Sequence, residues 1–311
     1  MSFDPSPPPS DVCEQPFVCS QDYDAFLTTA VRHAVPSSEA QVNAEIARVL
    51  HDKMLDRTEL ILDADLEPAA LRQHLLEELN IGFLLDGLDE RPLSWRVLRE
   101  QLRSTHLEVE VLLEDPWVGH ISGLLLLPLG DGPHAVVLGL PGHGDHAATF
   151  VDKHHGDAIV AQGMALLALD LRVDSGGPFE DALSRRFLQA GFTLFGLHVY
   201  EAFLARKFLR SLPEIDPQRI ALMGHSGGSM VADVATHLDP HWAALTTDFV
   251  STFFEVQDDN GYLLCETQPA LYPIHPQLEK LDLPLPVGRF EYGYPEGEAA
   301  VLAFLNRVLA P

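Results

Sequence analysis

The chain has 311 residues, 46% of them hydrophobic, which is enough apolar material for a sizeable core. Its 20 Lys and Arg against 46 Asp and Glu give a formal net charge of −26, a field that repels phosphate backbones and anionic lipid. Neither nucleic acid nor a membrane is therefore expected as a partner. The three cysteines, Cys13, Cys19 and Cys265, form no close-spaced framework, Met1 to Pro5 show no leader pattern, and the longest apolar stretch is too short to span a bilayer. These features together predict a cytoplasmic protein.

Residues 1–16 are rich in Pro and Ser and are expected to form a disordered tail. Residues 17–106 read as a helical segment packed on the rest. Val42, Ile46, Val49, Leu50 and Met54 recur at helical spacing after the start signal Ser37-Ser38-Glu39. Further helical runs are expected from Pro68 to Leu79 and around Trp95 to Leu102. Such a layer either covers the main domain or shapes its pocket.

The pattern changes at Leu107, where a core extending to residue 311 is expected to begin. Leu107, Val109 and Val111 alternate with charged residues, as in an exposed edge strand. Ile121 to Leu127, Ala135 to Leu138, Ala165 to Leu169 and Arg219 to Met223 read as further strands. A helix is expected between them at 196–211, with Leu197, Tyr200, Phe203, Leu204 and Phe208 facing inward. Strands alternating with helices predict an α/β fold, with a mostly parallel sheet and helices on both faces.

The segment Gly224-His225-Ser226-Gly227-Gly228 stands between an apolar strand and a helical run through Met230, Val231, Val234 and Ala235. A G-x-S-x-G sequence in that setting reads as a nucleophile elbow, the signature of the α/β-hydrolase fold. Its glycines are needed because side chains there would strike the neighbouring strand and helix. The helix N-terminus would present N–H groups to a developing oxyanion. The loop Pro141-Gly142-His143-Gly144-Asp145-His146 follows the Ala135–Leu138 strand. The N–H groups of His143 and Gly227 are the expected oxyanion donors.

At these residues the chain resembles the dienelactone hydrolase and acetyl xylan esterase branch of the α/β-hydrolases. Leu140-Pro141-Gly142-His143-Gly144 resembles that family's His-Gly-His-Gly loop, with Pro141 in place of the first His. Leu169-Asp170-Leu171-Arg172 resembles its Asp-x-Arg turn. Ile215 to Gly228 resembles its elbow segment, and His237 to Pro240 continues it. The resemblance spans about residues 107–250. It implies a hydrolase of carboxylic esters, lactones or amides, working on a small-molecule substrate through an acyl-enzyme, with no cofactor and no metal.

A serine hydroxyl needs a base, and the base needs an orienting acid. The expected chain order is Ser, acid, His. Arg289 to Glu296 resembles the family's acid-bearing strand and turn, with Glu296 at the acid position. No histidine follows Glu296, so the C-terminus reads as shortened. An alternative alignment makes Tyr292 to Leu309 the final loop and helix and puts Tyr294 or Pro295 where the His should be. His275, in Tyr272-Pro273-Ile274-His275-Pro276, is the candidate base from the C-terminal third, and it also reads as a surface loop residue. His143, His146, His154 and His155 are upstream candidates. His225 is disfavoured because it adjoins the serine.

Two principal readings follow. One is a serine esterase with a displaced base. The other is a catalytically impaired member using the fold as a binding or interaction module. A third, metal-dependent hydrolysis at His143, Asp145 and His146, lacks a ligand because Pro141 occupies the first position of the zinc pattern.

Overall fold

The computed structural model describes residues 68–172, 187, 192–247, 288–291 and 297–310. The Pro-rich tail and the helix expected over residues 37–54 lie outside them. Helix α1 spans Pro68–Leu79 and the short α2 spans Gly82–Leu85. Strands β1 (Ser94–Leu102), β2 (His106–Asp115), β3 (Gly119–Pro128) and β4 (His134–Leu140) follow. Then come α3 (Ala147–Lys153), α4 (Gly156–Ala161), β5 (Ala165–Leu169) and α5 (Leu194–Ser211). Strand β6 (Ile215–Gly224), α6 (Gly227–Leu238), β7 (Ala244–Thr247), β8 (Gly288–Glu291) and α7 (Glu298–Val308) complete the described elements.

The strands form one eight-stranded sheet in the order β1-β2-β3-β5-β4-β6-β7-β8. The pairs from β5 to β8 are parallel, and β1, β2 and β3 join by antiparallel pairing. The central strands are apolar throughout because both of their faces are covered. Val136, Leu138, Ile220 and Leu222 join a core with residues of α1, α5 and α6. Their alternates Ala135, Val137, Ala221 and Met223 join a second core with residues of α3, α4 and α7. The expected α/β architecture, with helices on both faces, is thus present.

Two local expectations are corrected. Trp95 to Leu102 is not helical; it is strand β1, paired with β2 from Ser94↔Glu114 to Leu102↔Leu107. Its Leu, Arg, Glu and Gln favour a helix, but pairing with β2 overrides that preference. Cross-strand ion pairs of Arg96 with Glu114 and of Arg99 with Glu110 accompany the pairing. It follows that β2 is not an edge strand. β1 takes the edge, and Val109 and Val111 are buried in the core.

Helix α5 starts at Leu194, ahead of the expected position, because Thr193 caps it: Thr193 Oγ1 accepts the Gly196 N–H at 2.8 Å. Tyr200, within α5, donates to Asp115 and accepts from Arg91, both at 3.0 Å. Burial, with the Asp115 charge beside it, raises the pKa of this phenol. The chain after β5 is held by a buried ion pair of Arg172 with Glu201 and by donation from Arg172 to the Val118 carbonyl. No helix among the described residues is long and apolar enough to cross a membrane.

Candidate functional site

Strands β4 and β6 run parallel side by side, and their last residues, Leu140 and Gly224, are register partners. The loops leaving their carboxyl ends must therefore meet. The His225 N–H donates to the Leu140 carbonyl at 3.1 Å, which carries the ladder one residue past β6. The chain then reverses into α6. Ser226 sits at the turn with φ 49° and ψ −117°, and it is the N-cap position of that helix. Positive φ is costly for a residue with a Cβ, so the surrounding contacts must enforce it.

Those contacts are visible at the two flanking glycines. A Cβ on Gly224 would lie 2.4 Å from Ser229 Cα, and one on Gly228 would lie 2.1 Å from the Leu140 carbonyl oxygen. Only glycine allows the strand, turn and helix to close this tightly. Gly227 opens α6, where the positive end of the helix dipole faces the turn.

The loop after β4 packs against this turn. A Cβ on Gly142 would lie 2.6 Å from His225 Cδ2 and 3.0 Å from Ser226 Cβ. His143 is the next residue of this loop. The loop tightens on itself through Asp145 N–H to the Gly142 carbonyl at 2.9 Å. Asp145 also pairs with Lys153 of α3 at 2.7 Å, and it lies 3.8 Å from His225 Nε2. The His225 ring packs on that of His154, centroids 4.4 Å apart. His154 in turn packs on Phe150, at 4.6 Å. The structure thus packs Gly142, the residue before His143, against the turn of His225 and Ser226 that leads into Gly227.

Glu296 and His275 lie outside the described residues, and Gly297, which follows Glu296, is the N-cap of α7. Several other histidines have evident local roles. His155 Nδ1 pairs with Glu298 of α7 at 3.2 Å. His237 Nε2 lies 3.8 Å from Asp233 on its own helix, and His241 pairs with Asp239 beyond the far end of α6. Among the described residues no group of three or more His, Cys, Asp or Glu is arranged to hold a metal ion.

Two features were not foreseen from the sequence. Asp145 ties the loop to both α3 and His225, and nothing in the linear spacing marks Lys153 as its partner. Asp170, at the end of β5, accepts the Ala147 N–H at 2.8 Å and the Ser122 hydroxyl at 2.7 Å. The Asp-x-Arg sequence marked the residue but not these contacts.

No family model and no curated protein matches the sequence. Among solved structures, the chain is similar to a candidate acetyl xylan esterase from Bacteroides fragilis NCTC 9343. That similarity has a TM-score of 0.50 and 17% identity, and it covers 60% of this chain and 55% of that one. The chain has the α/β-hydrolase fold. It spans little more than half the length of the Bacteroides protein. An acetyl xylan esterase from Paenibacillus sp. R4 has a TM-score of 0.49 and 19% identity, with 66% of this chain and 71% of that one covered. A cold-adapted esterase from an Arctic intertidal metagenomic library has a TM-score of 0.47 and 17% identity, with 70% and 99% covered. In this α/β-hydrolase fold the carboxyl ends of β4 and β6 carry the loops that meet at Ser226.

Proposed function

We propose that the protein is a serine esterase of the dienelactone hydrolase and acetyl xylan esterase type, acting on a small carboxylic ester with Ser226 as nucleophile. The observation that carries this reading is the Ser226 backbone. Ser226 is a non-glycine residue at φ 49°, standing between the buried end of a strand and the N-terminus of a twelve-residue helix. Such strain is retained where it serves a site. The candidate acetyl xylan esterase of the same fold adds the ester class.

In this reading the Ser226 turn is a nucleophile elbow. Ser226 Oγ attacks the ester carbonyl carbon while a histidine takes its proton. The N–H groups of Gly227 and His143 receive the charge that develops on the carbonyl oxygen. The tetrahedral intermediate collapses, the C–O bond to the alcohol breaks, and the proton passes to the departing alkoxide. Water then attacks the acyl-enzyme by the same route. The products are the carboxylic acid, the alcohol and free Ser226. We assign His275 as the base and Glu296 as the acid that orients it, on sequence position. The mechanism calls on no cofactor and no metal. The sparse cysteines favour a cytoplasmic location.

The test is hydrolysis of p-nitrophenyl acetate by the wild type, Ser226→Ala, His275→Ala and Glu296→Gln. Loss of turnover in Ser226→Ala supports the nucleophile. Full activity in His275→Ala or Glu296→Gln removes that residue's assignment. A wild type with no turnover on acetyl, butyryl and aryl esters alike supports a binding module instead.

A further inference from the structure

We infer that Asp170 is a positioning residue for the oxyanion loop, holding the His143 N–H in place without touching substrate. This rests on the reading of Ser226 as nucleophile.

The loop after β4 has two ends. Its start is fixed by the sheet, since Leu140 is paired with Gly224. Its end runs into α3, whose N-cap residue His146 makes no side-chain cap hydrogen bond. The first N–H groups of a helix have no intrahelical acceptor and need one from elsewhere. Asp170, the residue just after β5 and 23 positions along the chain, supplies it: its Oδ1 accepts the Ala147 N–H at 2.8 Å. Asp170 is itself fixed twice by β3, once through its carboxylate and once through its backbone. Its Oδ2 accepts the Ser122 hydroxyl at 2.7 Å, and the Asp170 N–H donates to the Ser122 carbonyl at 3.0 Å. Ser122 is buried in the sheet. A rigid chain of contacts therefore runs from β3 through Asp170 to Ala147, four residues beyond His143. A negative charge at a helix start is also favoured by the dipole.

An oxyanion donor works only if it is aimed before the charge develops, and small displacements of a donor are costly in rate. Removing the Asp170 carboxylate frees the loop end and should slow the chemical step more than it weakens binding. A residue that only supported folding would lower the melting temperature and leave the turnover of each intact site unchanged.

The experiment measures kcat and KM for p-nitrophenyl acetate per active site, with sites counted by fluorophosphonate labelling. Asp170→Ala should lose about 10- to 100-fold in kcat. Its KM should stay within about threefold of the wild type. Asp170→Asn keeps an acceptor for the Ala147 N–H and should recover most of the lost kcat. Unchanged kcat per labelled site in Asp170→Ala, whatever its melting temperature, overturns the proposal. If Asp170→Ala does not fold, Ser122→Ala decides: a fall of about three- to fivefold in kcat at full labelling supports the proposal, and wild-type kcat overturns it. A wild type that neither turns over nor labels removes the esterase reading and this proposal with it. An active wild type with insensitive variants removes the proposal alone.

Discussion

Gly228 lies directly against the last residue of β4: a Cβ there would be 2.1 Å from the Leu140 carbonyl oxygen and 2.5 Å from that of Pro141. This contact joins the start of α6 to the start of the loop after β4. Both halves of the candidate site therefore depend on one missing side chain.

Gly228→Ala should accordingly be among the most damaging single changes in the described structure. The obstructing atoms are backbone, so the clash cannot be relieved by turning a side chain. We expect a loss of about 3 kcal/mol or more, or failure to fold. Gly144→Ala is the control. Gly144 has φ 83° with nothing within 4 Å of a Cβ, so only backbone strain of about 1 kcal/mol is expected. Urea unfolding of the two variants compares them directly, and equal losses would contradict the geometry.

The Arg172–Glu201 pair should be equally intolerant of a half-deletion. The two side chains are 2% and 0% exposed. Glu201→Gln removes a buried carboxylate that the Arg172 guanidinium pairs with and should cost about 3–5 kcal/mol in urea unfolding. Replacing both residues, as Arg172→Met with Glu201→Leu, should recover part of that loss, because no charge is then left buried. A double variant less stable than Glu201→Gln would contradict this account.

Asp239 should contribute stability that depends on pH. Burial pushes its carboxyl up, but the Arg206 guanidinium at 2.7 Å and the His241 N–H outweigh burial and hold it below the usual carboxylate range. A depressed folded-state pKa adds stability above the unfolded value of about 4, and that stability is lost as pH falls through the folded value. Asp239→Asn should therefore be less stable than wild type at pH 7, by about 1 kcal/mol. The difference should close on acidification below about pH 4. A gap that stays constant from pH 7 to pH 3 would contradict this.

The parts of the fold legible in the sequence were those with a two-sided core or a backbone constraint. Val136 to Leu138, Leu166 to Leu169 and Ile220 to Met223 are buried on both sheet faces, so their unbroken apolar runs marked them as strands. Gly224 and Gly228 marked the turn because no other residue fits there. Strand β1 was not legible. All nine of its residues are exposed, so no burial period was written into it, and only pairing with β2 makes it a strand. The Asp170 contacts were hidden for a related reason. They depend on β3 lying beside β5, which brings Ser122 and Asp170 together across 48 positions of sequence.

The central claim is that Ser226 is a nucleophile. The direct measurement is reaction of the purified protein with a fluorophosphonate, read by intact-mass and peptide mass spectrometry. The account predicts one adduct per chain, located on the peptide carrying Ser226 and absent from Ser226→Ala. Wild type left unmodified under conditions that label a control serine esterase, or an adduct that persists in Ser226→Ala, would contradict it.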